Sequence, residues 1–175
     1  ALISNDDEMV SRARFLATQA RDNAPHYQHS TIGFNYRMSN VCAAIGRGQM
    51  EVLNERVAQR RNNFDFYKAA LSHLPGISFL NEPVGFFSNR WLTTVLVNKQ
   101  VFGKNREDIR MALEQQNIES RPLWKPMHLQ PVFEGCVFYG EAVAEKLFNE
   151  GLCLPSGSNL TEEQRQKIAD IIIAL

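Results

Sequence analysis

Net charge is the first thing this chain lacks. Its 19 basic side chains balance 19 acidic ones, so no net field draws it onto nucleic acid or anionic lipid. Long apolar runs are missing too. The longest, such as Ile171-Ile172-Ile173-Ala174-Leu175, fall far short of the ~20 residues a membrane-spanning helix needs. Cysteine is sparse: Cys42, Cys136 and Cys153 are an odd number without metal-ligand spacing. With no secretory leader among these residues, a reducing cytoplasm is the expected home. The sequence also has no GxSxG elbow, P-loop or GxGxxG. His26 and His29 lie three apart, but no Cys, Asp or Glu nearby completes a ligand set, so no metal site is expected. Cys42 and Cys153 read as small buried hydrophobes rather than nucleophiles. A length of 175 residues suits one domain with a real core, or part of a larger protein.

What is present is a sequence of helix and strand signals. Asn5-Asp6-Asp7-Glu8 offers a cap and acidic groups to a run in which Met9, Ala13, Leu16 and Ala20 recur at helical spacing, predicting a helix to about Arg21. The polar stretch His26–Thr31 reads as a loop. Helical spacing returns from Ser39 to about Leu74, through Val41, Ile45, Leu53, Val57, Phe64, Tyr67 and Leu71, and predicts one long or bent helical region. Gly46 and Gly48 inside it each cost about 1 kcal/mol relative to alanine, which points to close approach of a neighbouring backbone or subunit. Arg47, Arg56, Arg60 and Arg61 are interspersed with Glu51, Glu55 and Asp65, so this is a solvated surface rather than a nucleic-acid face.

Beyond Pro75 the composition changes. Ile77–Leu80 and Trp91–Val97 are strand candidates, Asn105 caps a helix to about Gln116, and Ile118-Glu119-Ser120 is expected to return as a strand. Pro122, Pro126 and Pro131 predict an extended loop from Arg121 to Pro131. A helix over about Glu141–Asn149 and a strand at Gly151–Pro155 follow. Thr161-Glu162-Glu163-Gln164 is a capping box for a terminal helix that buries Ile168, Ile171, Ile172 and Leu175. Alternating strands and helices predict a small α/β layer.

The most informative segment is Gly33-Phe34-Asn35-Tyr36-Arg37-Met38-Ser39. It sets an amide, a phenol and a guanidinium together in a turn, with Gly33 free to bend and Ser39 ready to cap the following helix. Tyr36 and Arg37 either pack and pair locally or address phosphate and sugar oxygens. Arg121, Trp124, Lys125 and His128 form a second constellation: fixed positive charge for a diphosphate, an aromatic face for a uracil or sugar ring, an imidazole for a hydroxyl or carbonyl oxygen. The alternative is a proline-rich surface loop whose Trp124 fills a core gap.

With Ala43-Ala44-Ile45-Gly46 and Gln49-Met50 behind it, GFNYRMS resembles the signature of the DegT/DnrJ/EryC1/StrS sugar aminotransferases. The loop His26-Tyr27-Gln28-His29, the segment Glu119–Pro131 and Gly151–Gly157 extend the resemblance over nearly the whole chain. It implies an α/β fold, the C-terminal portion of a fold-type I enzyme dependent on pyridoxal 5'-phosphate: residues 1–38 end the large domain, 39–74 connect, and 75–175 form a small C-terminal α/β domain. It also implies a homodimer with a shared active site, in which Asn35 reaches the cofactor phosphate of the other subunit. Tyr36, Arg37, His29, Arg121, Trp124, Lys125 and His128 would bind the nucleotide sugar. The nearest branch makes UDP-linked 4-amino sugars of the bacillosamine type for glycans, with glutamate as the expected amino donor.

The resemblance also implies an absence. The Schiff-base lysine is expected upstream of Ala1, since Lys68, Lys99, Lys104, Lys125, Lys146 and Lys167 do not match its place. The aspartate that pairs with the pyridine nitrogen is expected upstream as well. Ala1-Leu2-Ile3-Ser4 reads as the end of a strand, so the chain is expected to begin inside a domain and to lack activity alone. Two alternatives stay open: a sugar dehydratase of the same family, with histidine in place of that lysine, and a non-catalytic dimerisation or nucleotide-sugar-binding module.

Overall fold

The computed structural model describes residues 2–175, and the chain divides into two compact units, Ala1–Val52 and Leu53–Leu175. In the first, helix α1 (Asp7–Ala17) starts at Asp6, whose carboxylate accepts from the Met9 N–H at 2.9 Å. It stops four residues before Arg21. The Thr18 hydroxyl turns back onto the Arg14 and Phe15 carbonyls, and Gln19 and Ala20 take left-handed conformations with φ of 69° and 49°. Pairing with a distant segment ends the helix: Phe34 N–H donates to Leu16 O at 2.7 Å, Tyr36 N–H to Ala17 O at 3.1 Å, and Gln19 N–H to Phe34 O at 3.0 Å. Propensity favours more helix, and the tertiary pairing overrides it.

Helix α2 (Asn40–Glu51) is capped by Ser39, whose hydroxyl accepts from Cys42 N–H at 3.2 Å. The single helical region expected from Ser39 to Leu74 is interrupted at Val52, and α3 runs Leu53–Leu71. None of the residues of α2 is buried. Cys42 is therefore exposed, not the small buried group that its spacing suggested. A methyl group built on Gly46 or Gly48 meets nothing, so no neighbouring backbone approaches either one in this chain.

The second unit is built on a four-stranded antiparallel sheet of β1 (Ile77–Phe79), β2 (Thr93–Val97), β3 (Arg121–Pro122) and β4 (Gly151–Leu154), in the order β1-β2-β4-β3. Strand β2 alternates: Thr93, Val95 and Val97 point inward while Thr94 and Leu96 are half-buried, the pattern of a pleated strand with one core face. Strand β4 lies between β2 and β3 and is buried throughout. Gly151 opens it because the Leu123 side chain and the Leu147 carbonyl leave no space for a Cβ.

Three helices supply the rest of the core: Tyr67 and Leu71 from α3, Ile109 and Leu113 from α5 (Arg106–Glu114), and Ile168 and Ile172 from α7 (Glu162–Ile173). The capping boxes Asn105–Asp108 and Thr161–Gln164 start α5 and α7. A short α4 (Lys99–Phe102) and α6 (Val143–Glu150) complete the element order.

Three expectations shift. Residues 118–120 are not a strand, because Asn117 turns left-handed (φ 57°) and pairing begins only at Arg121. The segment to Pro131 is not wholly extended, since Met127–Leu129 and Pro131–Phe133 close as 3-10 turns. Leu175 lies past the end of α7 and is exposed, whereas Ile168 and Ile172 are buried and Ile171 packs at the core's edge. Among the described residues, no helix is long and apolar enough to cross a membrane, and no group of three or more Cys, His, Asp or Glu side chains could hold a metal.

Candidate functional site

The turn around Asn35 is fixed by its backbone. Asn35 forms an isolated antiparallel bridge with Thr18, flanked by the hydrogen bonds of Phe34 and Tyr36 to the end of α1. Gly33 is required here for close packing rather than for a special φ: a Cβ would collide with the main chain of Gln19 and Ala20. In an extended segment alternate side chains share a face. Accordingly Phe34 and Tyr36 stack with ring centroids 5.1 Å apart, while Asn35 points the other way. Its amide is exposed and has no hydrogen-bond partner among the described residues, and Arg37 is exposed beside it.

His29 is drawn to the same place. Its Nδ1 lies 2.9 Å from the Gln19 carbonyl, which can only accept, so Nδ1 carries the proton and Nε2 stays open. Asp22 ties the loop together, accepting from Gln28 and Ser30 at 3.1 and 2.9 Å. His29, Asn35, Tyr36 and Arg37 are thus presented from one scaffold.

The second constellation lies in the unit Leu53–Leu175, and the structure divides it. Arg121 and Trp124 border a cavity of about 370 Å³ whose walls include Trp91, Pro122, Pro155 and Ser120. Trp124 stacks on Trp91, centroids 5.9 Å apart and planes 29° from parallel. It is not a core filler, for its residue is 66% exposed. Arg121 is exposed and pairs with Glu119 at 2.6 Å. Lys125 and His128 do not line this cavity. Lys125 is exposed, and its ammonium has no partner among the described residues. His128 stands in a separate hollow with Met127, Phe133 and Cys136. Its ring lies on Phe138 at 3.7 Å between centroids, and its Nε2 is 3.0 Å from Glu145.

Cys153, paired in register with Arg121, also borders the cavity. Burial pushes its thiol up, against a smaller downward pull from Arg121, so it is no thiolate nucleophile. Trp91 and Ser120 were not among the residues expected from sequence. Trp91 looked like the start of a strand, and nothing local marks Ser120 as a residue whose hydroxyl is buried without a partner. The floor of the cavity is preformed: Ser156 Oγ donates to Leu154 O at 2.7 Å and accepts from Thr93 N–H at 2.8 Å.

The chain as a whole is similar to known proteins. A Bacillus subtilis protein described as a pyridoxal phosphate-dependent aminotransferase, EpsN, is 49% identical over 178 residues, covering 99% of this chain and 45% of the relative. GDP-perosamine synthase of Vibrio cholerae is 31% identical, covering 98% of this chain and 46% of the relative. Among solved structures, the aminotransferase TlmJ from Streptoalloteichus hindustanus has a TM-score of 0.82 at 24% identity, over 97% of this chain and 45% of that one. The chain spans about half the length of the relatives it matches. The expected class, an α/β fold corresponding to the C-terminal portion of a fold-type I aminotransferase, is the one found. The family's cofactor is pyridoxal 5'-phosphate. Asn35 fits a part in holding it: a neutral amide with donors to spare, fixed through its main chain and unengaged by its own fold. With a match running over residues 1–173, the chain belongs to the DegT/DnrJ/EryC1/StrS aminotransferase family.

Proposed function

We propose that this chain is part of a homodimeric aminotransferase that moves an amino group, from glutamate, onto a UDP-linked 4-keto sugar for glycan biosynthesis in the cytoplasm. Bound pyridoxal phosphate supplies the electron-withdrawing ring that makes the amino group exchangeable. The residues of this chain bind and orient. Asn35 donates its amide to the cofactor phosphate of the partner subunit, and Tyr36, Arg37 and His29 line the edge of that shared site. Arg121, Trp124, Lys125 and His128 address the nucleotide sugar, with Arg121 exchanging Glu119 for phosphate oxygens.

The observation that carries this reading is the state of Asn35. Its backbone is held on both sides, yet its amide is left free, an arrangement suited to a group supplied from outside the chain. The dimer draws further support from α2, where Val41 and Ile45 are exposed on the same face as Gly48. Such a face is apolar and open to a second copy. In this reading residues 1–38 end the large domain, 39–74 connect, and 75–175 form the small domain.

We place the lysine that carries the cofactor outside these 175 residues. Supplied with pyridoxal phosphate, glutamate and a UDP-4-keto sugar, the 175-residue chain should form no amino sugar, and a form extended upstream through that lysine should. Turnover by the 175-residue chain would overturn the placement. An extended, folded dimer that aminates no nucleotide-linked keto sugar would overturn the function.

A further inference from the structure

The two tryptophans of this chain, Trp91 and Trp124, are its only ones, and they sit together at one cavity. Neither belongs to the core, and they are 58% and 66% exposed. Two adjacent open indoles over an apolar cavity form a contiguous exposed patch, the kind of surface that marks a binding site. We infer that the Trp91–Trp124 pair is the seat of the nucleobase, with Trp91 as a positioning surface for the substrate. The inference rests on the nucleotide-sugar reading above.

Trp91 is held for such a task. Arg90, just before it, takes a left-handed conformation with φ 48°, uncommon for a side chain of that size. That turn is fixed by the Ser88 hydroxyl, which accepts from Arg90 N–H at 3.1 Å. Trp91 N–H donates to Asn89 Oδ1 at 3.2 Å, and its carbonyl accepts from Arg60. The indole is therefore aimed by its backbone. At 5.9 Å the two rings already cover each other, which leaves no gap for a third ring between them. A base lies instead against the outer indole face, over the apolar wall of Leu92, Pro122 and Pro155.

The cavity's size and polarity agree. At about 370 Å³ it is at the small end of ligand clefts, roughly 300–1,000 Å³, enough for a base and its ribose and not for a whole nucleotide sugar. Ser120 borders it too, but its hydroxyl is closed off from solvent, so the wall offers a base its apolar faces rather than a partner for its edge. Arg121 stands exposed at the rim, where a diphosphate leaving the cavity would pass. Base and phosphate are thus met in order by Trp91 and Arg121.

The pair also provides its own probe, since all indole emission of this chain comes from this site. The experiment titrates the chain with uridine, UMP, UDP, a UDP-hexose, ribose 5-phosphate and a hexose 1-phosphate, following tryptophan fluorescence and heat of binding in parallel. Nucleosides and nucleotides should quench emission, while both base-free phosphates leave it unchanged. Trp91→Ala should weaken UDP binding about tenfold or more, the range set by base–aromatic stacking. Trp91→Phe should recover most of it, which a purely structural loss would not. Circular dichroism of both variants checks that the fold is kept.

Heat of UDP binding with no change in emission, and equal affinity in Trp91→Ala, would overturn the base seat and leave the nucleotide-sugar reading standing. Quenching by hexose 1-phosphate and not by UDP would overturn it in favour of a sugar platform. No binding of any nucleotide would overturn the base seat, and the nucleotide-sugar reading then stands or falls with turnover by the extended dimer.

Discussion

Gly33 rests directly on the main chain of Ala20, with no room between them for a methyl group. The contact closes the turn that presents Asn35. Gly33→Ala should cost about 1–3 kcal/mol, the usual range for overpacking a tight site, and should displace the Asn35 bridge. A chemical-denaturation midpoint equal to that of the parent would contradict the close approach.

Asn35 itself should behave in the opposite way. Its side chain is exposed and unpartnered, so Asn35→Ala should leave the stability of the cofactor-free protein within about 0.5 kcal/mol. In the dimeric enzyme proposed above it should loosen the cofactor about tenfold or more, the loss of one hydrogen bond to a charged group. Asn35→Asp should be worse, because a carboxylate repels a phosphate. Equilibrium dialysis of the cofactor separates the three proteins, and equal retention by all of them would remove Asn35 from the site.

How much of this was legible in the sequence depends on how local each cause is. The capping box at Thr161–Gln164 and the Ser39 cap are written within four residues, and both stand in the structure. The end of α1 is not local. It is set by Phe34 and Tyr36, some twenty residues further on, so helical spacing overran it to Arg21. The pairing of Trp91 with Trp124 depends on the sheet bringing two loops together, and nothing near Trp91 announces it. His128 follows Lys125 by three residues, yet a 3-10 turn carries it to Glu145 and Phe138, away from the cavity that Arg121 and Trp124 share.

Tyr67 is fully buried, and its hydroxyl donates to the Pro155 carbonyl at 3.0 Å, tying α3 to the residues just past β4 that border the cavity. Burial drives its phenol well above its ordinary range, so it stays neutral and keeps donating at any working pH. Tyr67→Phe should cost about 1–1.5 kcal/mol, because the carbonyl is left without its partner. Thermal denaturation checks it, and an unshifted midpoint would mean that water replaces the phenol.

Glu82 sets an acid limit. Its carboxyl is held down to about 2, first by hydrogen bonds from Arg61 and then by the Ser88 N–H, with the charges of Arg61 and Arg90 adding to them and partial burial opposing. A depressed folded value means a contribution fully present above the unfolded carboxylate's ~4.3 and lost as pH falls through about 2. Glu82→Gln should therefore flatten the fall in stability across that window and change little below it. Parallel acid-unfolding curves for parent and variant would contradict the pairing.

The outermost strand of the sheet has one more consequence. Leu123 N–H donates inward to Gly151 O, so the alternate residue, Pro122, faces away from β4. Its nitrogen carries no proton to offer there. A strand only two residues long, with proline at its outward position, gives an incoming chain almost no template to extend. This rim is guarded against growth by strand addition, and with it against cross-β aggregation seeded from that side.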